Sequence, residues 1–208
     1  MTDIFTVPER WPGSTIVCLA CGPSATPEAA ALVRGKFPVV AINTAAILLA
    51  PWANVLYAAD KKWWGWHNGA ENFDGLKITI EYGGQEFKHH AVRVVKNTGP
   101  KGLETERDGV RVGSNSGYQA INIARHLGAK KIILIGYDMG PDDGGANHFF
   151  GESPDNSVPP YGLFLSVFPS IVEPLQAEGI EVVNTCERSK LKCFPKMPLT
   201  EAVQWAKG

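Results

Sequence analysis

The sequence lacks most of the features that would mark an unusual class of protein. It has no excess of one charge: 20 basic and 21 acidic side chains leave a formal net charge of −1 over 208 residues. That balance gives the chain as a whole no attraction for nucleic acid or an anionic membrane surface. It has no long apolar run either. The longest, residues 39–55, is interrupted by Asn43, Thr44, Pro51 and Asn54, and a bilayer needs ~20 apolar residues. Residues 1–12 carry Asp3, Glu9, Pro8 and Pro12 in place of the apolar core of a signal peptide. These absences lead us to expect a cytoplasmic protein with no membrane partner. Internal repeats and low-complexity segments are absent too.

Cysteine is scarce, with four residues. Cys18 and Cys21 have Cys-x-x-Cys spacing, but redox motifs of that kind open a helix and zinc sites pair two such knuckles. Cys18 falls inside a strand-like run, and Cys186 and Cys193 do not form a second knuckle. Buried, reduced thiols and no metal site are expected.

What is present is an ordinary globular balance, 44% hydrophobic and 20% charged. The length suits one domain over residues 1–208 with a substantial core. Short apolar, β-branched runs at residues 15–20, 39–42, 55–58, 131–135 and 181–184 predict strands. Residues 76–95 predict one or two more around Tyr82-Gly83-Gly84. Between them lie helical stretches. Thr26-Pro27-Glu28 suits a helix start, with a cap, a first-turn proline and an acid at the positive end of the dipole. Residues 61–67 read as a short aromatic helix. Ala120, Ile121, Ile123, Ala124 and Leu127 have the i, i+3, i+4 spacing of an amphipathic helix that Gly128 ends. Residues 163–177 and 199–206 read as two more helices, and residues 96–113 as a loop or hairpin. Residues 139–160, rich in Gly, Asp and Pro, predict a lid or binding loop. Strands alternating with helices imply parallel pairing and right-handed crossovers, hence an α/β, Rossmann-like sheet with helices on both faces.

In such sheets ligands bind beyond the carboxyl ends of the strands. The candidate site residues are therefore those at the strand exits: Gly22-Pro23-Ser24, Asn43, Asp60, Gly136-Tyr137-Asp138 and Asn184. Gly22-Pro23-Ser24 joins a strand to a helix start, where backbone N–H groups can approach a phosphate. It is neither the Walker loop nor the Gly-x-Gly-x-x-Gly pattern, and an ordinary strand–helix turn also explains it. Ser114-Asn115-Ser116-Gly117 precedes another helix. One of its polar side chains serves as the cap, and the surplus suggests a ligand. Asp138 suits a ribose or base contact, or the capping of a loop. His148 suits a general base or a phosphate contact, with surface packing as the alternative. Trp63, Trp64 and Trp66 suit core packing better than stacking on a base. Lys130-Lys131, His89-His90 and Asp142-Asp143 read as solvated.

Taken in order, Gly22-Pro23-Ser24, Asn43, Asp60, Ser116-Gly117 and Gly136-Tyr137-Asp138 resemble the family 42 bacterial sialyltransferases. They are also similar to the related group that includes archaeal-type 6-hydroxymethylpterin diphosphokinases and small stand-alone versions from tailed-phage genomes. The resemblance spans residues 15–138, with a looser echo through His148. It implies nucleotide contacts at Gly22, Ser24, Asn43, Ser116, Gly117, Gly136 and Asp138. It also implies a lid histidine acting as base, for which His148 stands, and a lid tyrosine on the leaving phosphate, for which Tyr161 is nearest. The short lid departs from that family in the part that chooses the acceptor.

The expectation is a transferase using a nucleotide or nucleotide-sugar, in the glycosyltransferase manner and with a CMP-linked donor, without a tightly bound cofactor. The alternatives are an ATP-dependent pterin-type pyrophosphokinase, with Mg²⁺ on carboxylates such as Asp60, Asp138 or Asp142, and a non-catalytic nucleotide-binding module. A nucleic acid enters only as an acceptor. Acceptor, base and oligomeric state are left open by the sequence.

Overall fold

The protein is described by a computed structural model covering residues 3–82 and 91–208. Its elements run β1 (Thr15–Leu19), α1 (Pro27–Val33), β2 (Val39–Ile42), α2 (Ala45–Leu48), β3 (Val55–Tyr57) and α3 (Lys61–Trp66). There follow β4 (Leu76–Ile80), β5 (Val92–Asn97), β6 (Gly109–Val110), α4 (Ser116–His126) and β7 (Lys131–Ile135). The chain closes with α5 (Tyr161–Val167), α6 (Val172–Ala177), β8 (Glu181–Asn184) and α7 (Leu199–Trp205). The strands form an 8-stranded sheet in the order β6-β5-β4-β3-β2-β1-β7-β8, parallel throughout. This is the α/β, Rossmann-like arrangement expected from the alternation of strands and helices.

The apolar runs are continuous because both faces of the sheet are covered. Ile16, Cys18, Val40 and Ile42 enter one core, with residues of α4, α5 and α6. Val17, Leu19, Val39 and Ala41 enter the other, with residues of α1, α2, α3 and α7. On α4, Ile121 and Ile123 are completely buried, and each such side chain contributes ~1.5–3 kcal/mol. The start of α1 follows the sequence signals closely: Thr26 Oγ1 accepts the Ala29 N–H at 3.1 Å, and Pro27 opens the helix.

Three expectations change in detail. Residues 76–95 hold two strands, but β4 and β5 run parallel, with Lys77 opposite Val92, so no two-residue hairpin joins them. Gly83 and Gly84, and the pair His89-His90, lie outside the described residues. Residues 96–113, expected as a loop or hairpin, contribute β6 at the sheet edge, parallel to β5. Polar side chains of α4 hold this segment. Asn122 accepts the Glu104 N–H and donates to the Glu104 carbonyl, both at 2.9 Å, and His126 Nε2 lies 2.8 Å from the Gly109 carbonyl. The helix expected at residues 163–177 begins at Tyr161 and is interrupted by a 3₁₀ turn, Phe168–Ile171, at Pro169. That is the distortion a proline forces within a helix.

The chain leaves β1 toward β2 and walks outward to β6, then returns to the other side of β1 to lay down β7 and β8. The direction therefore reverses between β1 and β7. That switch point is where a crevice opens beyond the carboxyl ends of the strands.

Candidate functional site

The exits of β1 and β7 are zipped together past the last strand residues. The Ala20 N–H donates to Ile135 O at 2.8 Å and the Gly22 N–H to Gly136 O at 3.0 Å. This approach requires glycine on both sides. A Cβ on Gly22 would stand 2.0 Å from Asp138 Oδ2, and one on Gly136, whose φ is +74°, would stand 2.6 Å from Ala20 O. The space so gained admits the Asp138 carboxylate. Its Oδ1 accepts the Ser24 N–H and the Cys186 thiol, both at 3.1 Å, and its Oδ2 accepts the Ser24 hydroxyl at 2.8 Å. Asp138 thus pins the Gly22-Pro23-Ser24 turn to the end of β7, which is the loop-capping role. Burial pushes the Cys186 thiol up.

Beside this pin lies a cleft of about 110 Å³. Gly22, Asn43, Asn115, Ser116, Gly117 and Gly136 line it from the sheet side, and His148 and Tyr161 from the lid side. Asn43 is held with φ +50° and its N–H donates to Tyr57 O at 3.0 Å. Its side-chain Oδ1 is buried with no hydrogen-bond partner among the described residues. Two neighbouring side-chain oxygens of this wall are occupied. Asn115 caps α4 by accepting the Tyr118 N–H at 3.0 Å, and Ser116 Oγ accepts the Ala59 N–H at 3.2 Å, tying α4 to the exit of β3. The surplus of polar side chains at this helix start is therefore largely spent on structure, and Ser114, at φ +51°, is exposed and outside the cleft.

Tyr137 and Asp60 are not brought into the cleft. Tyr137 is completely buried and donates its hydroxyl to Gly117 O at 2.9 Å, so it supports the wall from behind. Asp60 is exposed and caps α3 by accepting the Lys62 N–H at 2.8 Å. Trp63 and Trp64 are buried, donating to Thr44 Oγ1 and to Ala58 O, while Trp66 is exposed. Pro23, Ser24 and Asp138 line a second cavity of about 310 Å³, across from Thr185 and Lys190. Asn184, one of the strand-exit candidates, builds that far wall: it donates to Ser189 Oγ at 3.0 Å and accepts the Cys186 N–H at 3.1 Å.

The lid crosses the cleft as a long irregular segment. The Phe149 N–H donates to Cys21 O at 3.1 Å, which sets His148 against the exit of β1, and the His148 ring stacks on Phe150 at 5.0 Å. Burial lowers the His148 pKa, so the imidazole is neutral at pH 7 and free to accept a proton. Tyr161 donates to Asn147 Oδ1 at 3.2 Å. Burial, then the charges of Asp138 and Glu152, raise its phenol. Sequence reasoning missed Cys21, Met139, Asn147, Pro159 and Phe164, which also line the cleft. Cys21, Met139 and Asn147 adjoin residues that were singled out, and Met139, Asn147 and Pro159 lie in the expected lid, residues 139–160; Phe164 carries no local signal. Burial pushes the Cys21 thiol up to about 12, and it donates to Ile42 O at 3.2 Å, so it is an inert wall residue.

Ligand sites usually occupy ~300–1,000 Å³, so the first cleft alone is small for a nucleotide. Among the described residues no three His, Cys, Asp or Glu side chains gather as a metal-binding group, and all four cysteines are free thiols. No helix of the described residues is long and apolar enough to cross a membrane.

No family model and no curated protein matches this sequence. Among solved structures the chain is similar to the sialyltransferase CstII from Campylobacter jejuni in complex with cytidine-5′-monophosphate. The identity is 12% and the TM-score 0.51, over 90% of this chain and 86% of that one. It is likewise similar to CstII with CMP-3FNeuAc, at 12% identity and TM-score 0.50, over 88% and 86% of the two chains. At such identity the likeness is one of fold.

Proposed function

We propose that this chain binds a nucleotide or nucleotide-sugar at the exits of β1, β2 and β7 and acts as a glycosyltransferase-like enzyme, with a CMP-linked donor as the first candidate. The observation that carries this reading is Asn43. Its Oδ1 is a buried acceptor without a partner among the described residues, in a cleft at the switch point of the sheet. Leaving such an acceptor unmet costs ~1–3 kcal/mol. A hydroxyl or amino group of a ribose or base would relieve that cost. The fold likeness to an enzyme solved with cytidine-5′-monophosphate makes a cytidine nucleotide the natural probe.

In this reading His148 is the base. An acceptor hydroxyl gives its proton to the neutral imidazole while its oxygen bonds to the anomeric carbon. The bond from that carbon to the phosphate oxygen breaks, and the nucleotide leaves with the electron pair. Tyr161 stands at the same cleft with its phenol protonated, able to donate to the departing phosphate. Holding donor and acceptor together would supply up to ~7–11 kcal/mol of the acceleration. The four free thiols fit a reducing, cytosolic setting.

The test is a thermal-shift screen against CMP, CDP, UDP, ADP, ATP and nucleotide-sugars, each with Mg²⁺ and with EDTA. A ligand at 100 times its Kd adds ~2.7 kcal/mol of stability. Stabilisation by cytidine compounds in EDTA supports the proposal. Stabilisation by ATP only with Mg²⁺ would replace it with the pyrophosphokinase, and tight binding without turnover over any acceptor panel would leave a binding module. No shift with any nucleotide removes the nucleotide reading.

A further inference from the structure

The cleft beside Asn43 and the cavity beyond Ser24 and Asp138 share one wall residue, Gly140. Lys190 lies across it: a Cβ placed on Gly140 would be 2.9 Å from both Cε and Nζ of Lys190. The root of that side chain is fixed, because the Lys190 N–H donates to Asp138 O at 2.8 Å. Its ammonium makes no hydrogen bond or ion pair among the described residues. Lys62, Lys96, Lys130, Lys131 and Lys196 each have a partner. Lys36, Lys101, Lys192 and Lys207 resemble Lys190 in having none among the described residues but lie at neither chamber. The neighbouring carboxylates are engaged in hydrogen bonds from neutral donors, which hold them in place while leaving their charge. Both oxygens of Asp138 are occupied, Asp142 Oδ1 accepts the N–H groups of Gly144 and Ala146, and Arg188 pairs with Asp143. Glu187 lines the second cavity from an exposed position, but it is not part of the shared wall. Lys190 is therefore the cation at the junction that has no partner among the described residues, with a chamber of about 110 Å³ on one side and one of about 310 Å³ on the other.

We infer that the two chambers are halves of one ligand site and that Lys190 holds the phosphate joining the two lobes of the ligand. This rests on the nucleotide reading above and names the part of the ligand that each feature meets. A nucleoside joined through a phosphate to a sugar has that two-lobed form, with its negative charge at the link. Ammonium–phosphate contacts are among the strong, charge-assisted kind, and Lys190, standing in solvent, can reach such a group without first breaking another pair.

The experiment is calorimetric titration of the full chain and of Lys190→Gln with cytidine, CMP and a CMP-sugar, with melting temperatures as a check on folding. Lys190→Gln should weaken CMP about tenfold and leave cytidine within about twofold. Gly140→Ala, whose methyl group would push the flexible end of Lys190 aside, should show a smaller loss of the same kind. Glu187→Trp, which adds bulk to the second chamber from its exposed side, should weaken the CMP-sugar about fivefold and spare CMP. Unchanged CMP affinity in Lys190→Gln, or equal losses for CMP and cytidine, overturns the role of Lys190. Equal affinities of Glu187→Trp and the unaltered protein for the CMP-sugar overturn the second half of the site. An unaltered protein that binds none of the three overturns the nucleotide reading and this inference with it.

Discussion

The two sides of the cleft are built on different principles. The sheet side is made of strand exits and the start of α4, and its polar groups close on one another: Asp138 on Ser24, Asn115 on Tyr118, Ser116 on Ala59. The lid side is an irregular segment whose ties are few. They are one backbone bond to Cys21, the Tyr161–Asn147 contact, and the ion pairs Arg188–Asp143 and Lys62–Asp155, of which the first is exposed on both sides. A rigid wall with one unmet acceptor, facing a loosely held cover that carries a histidine, divides the labour. In the proposed function the wall would fix the ligand and the cover would supply the proton acceptor.

Four changes would sharpen or break this contrast. The largest effect belongs to the cover. His148→Ala should lower turnover by 10²–10⁴ while nucleotide affinity stays within about twofold. Because burial lowers the pKa of His148, the acid limb of kcat/KM should fall below the ordinary 6.5 and vanish in the variant. Equal loss of affinity and turnover would place His148 in the wall instead.

Next comes the wall itself. Gly136→Ala combines a left-handed backbone with a methyl group facing the Ala20 carbonyl, and should cost about 3 kcal/mol in denaturant unfolding.

Slightly smaller is the pH dependence of the contact between α4 and the β6 segment. Burial pushes His126 down to about 4 from 6.5. Between those values the unfolded chain binds the extra proton, so stability should fall as pH drops from about 6.5 toward 4. The loss should reach roughly 2–3 kcal/mol and flatten in His126→Gln.

The smallest effect lies on the outside of the cover. Asp143→Asn should leave the melting temperature unchanged, because an ion pair exposed on both sides contributes little. A clear loss would show the lid to be more tightly held than its contacts indicate.

The same contrast explains what could be read from the sequence. β1, β2 and β7 were legible because burial on both faces makes each a continuous apolar run. The cap at Thr26 was legible because a cap is a local signal, and the run at residues 114–116 marked the start of α4 without telling which of its side chains is the cap, Asn115. β6 was not, since Gly109 and Val110 are too few to show any period. The break at Phe168–Ile171 was passed over although Pro169 marks it. Within the site, the strand-exit rule found Asn43, Gly22 and Gly136, because position alone identifies them. It also selected Tyr137 and Asp60, for the residue after a strand can as readily turn into the core or cap the next helix. The pairing of Asp138 with Ser24 and Cys186 spans distant parts of the chain, and no local pattern encodes it. Neither does any pattern mark Lys190, whose position depends on the turn that Asn184 and Ser189 build.

The central claim is that the cleft at Asn43 binds a nucleotide. The most direct measurement is a calorimetric titration of CMP, in EDTA, into the unaltered protein and into Asn43→Gly. Glycine keeps the positive φ of this position at little strain while removing the unmet carboxamide. The account predicts saturable binding by the unaltered protein, weakened about tenfold or more in the variant. No binding by the unaltered protein, or equal binding by both, would contradict it.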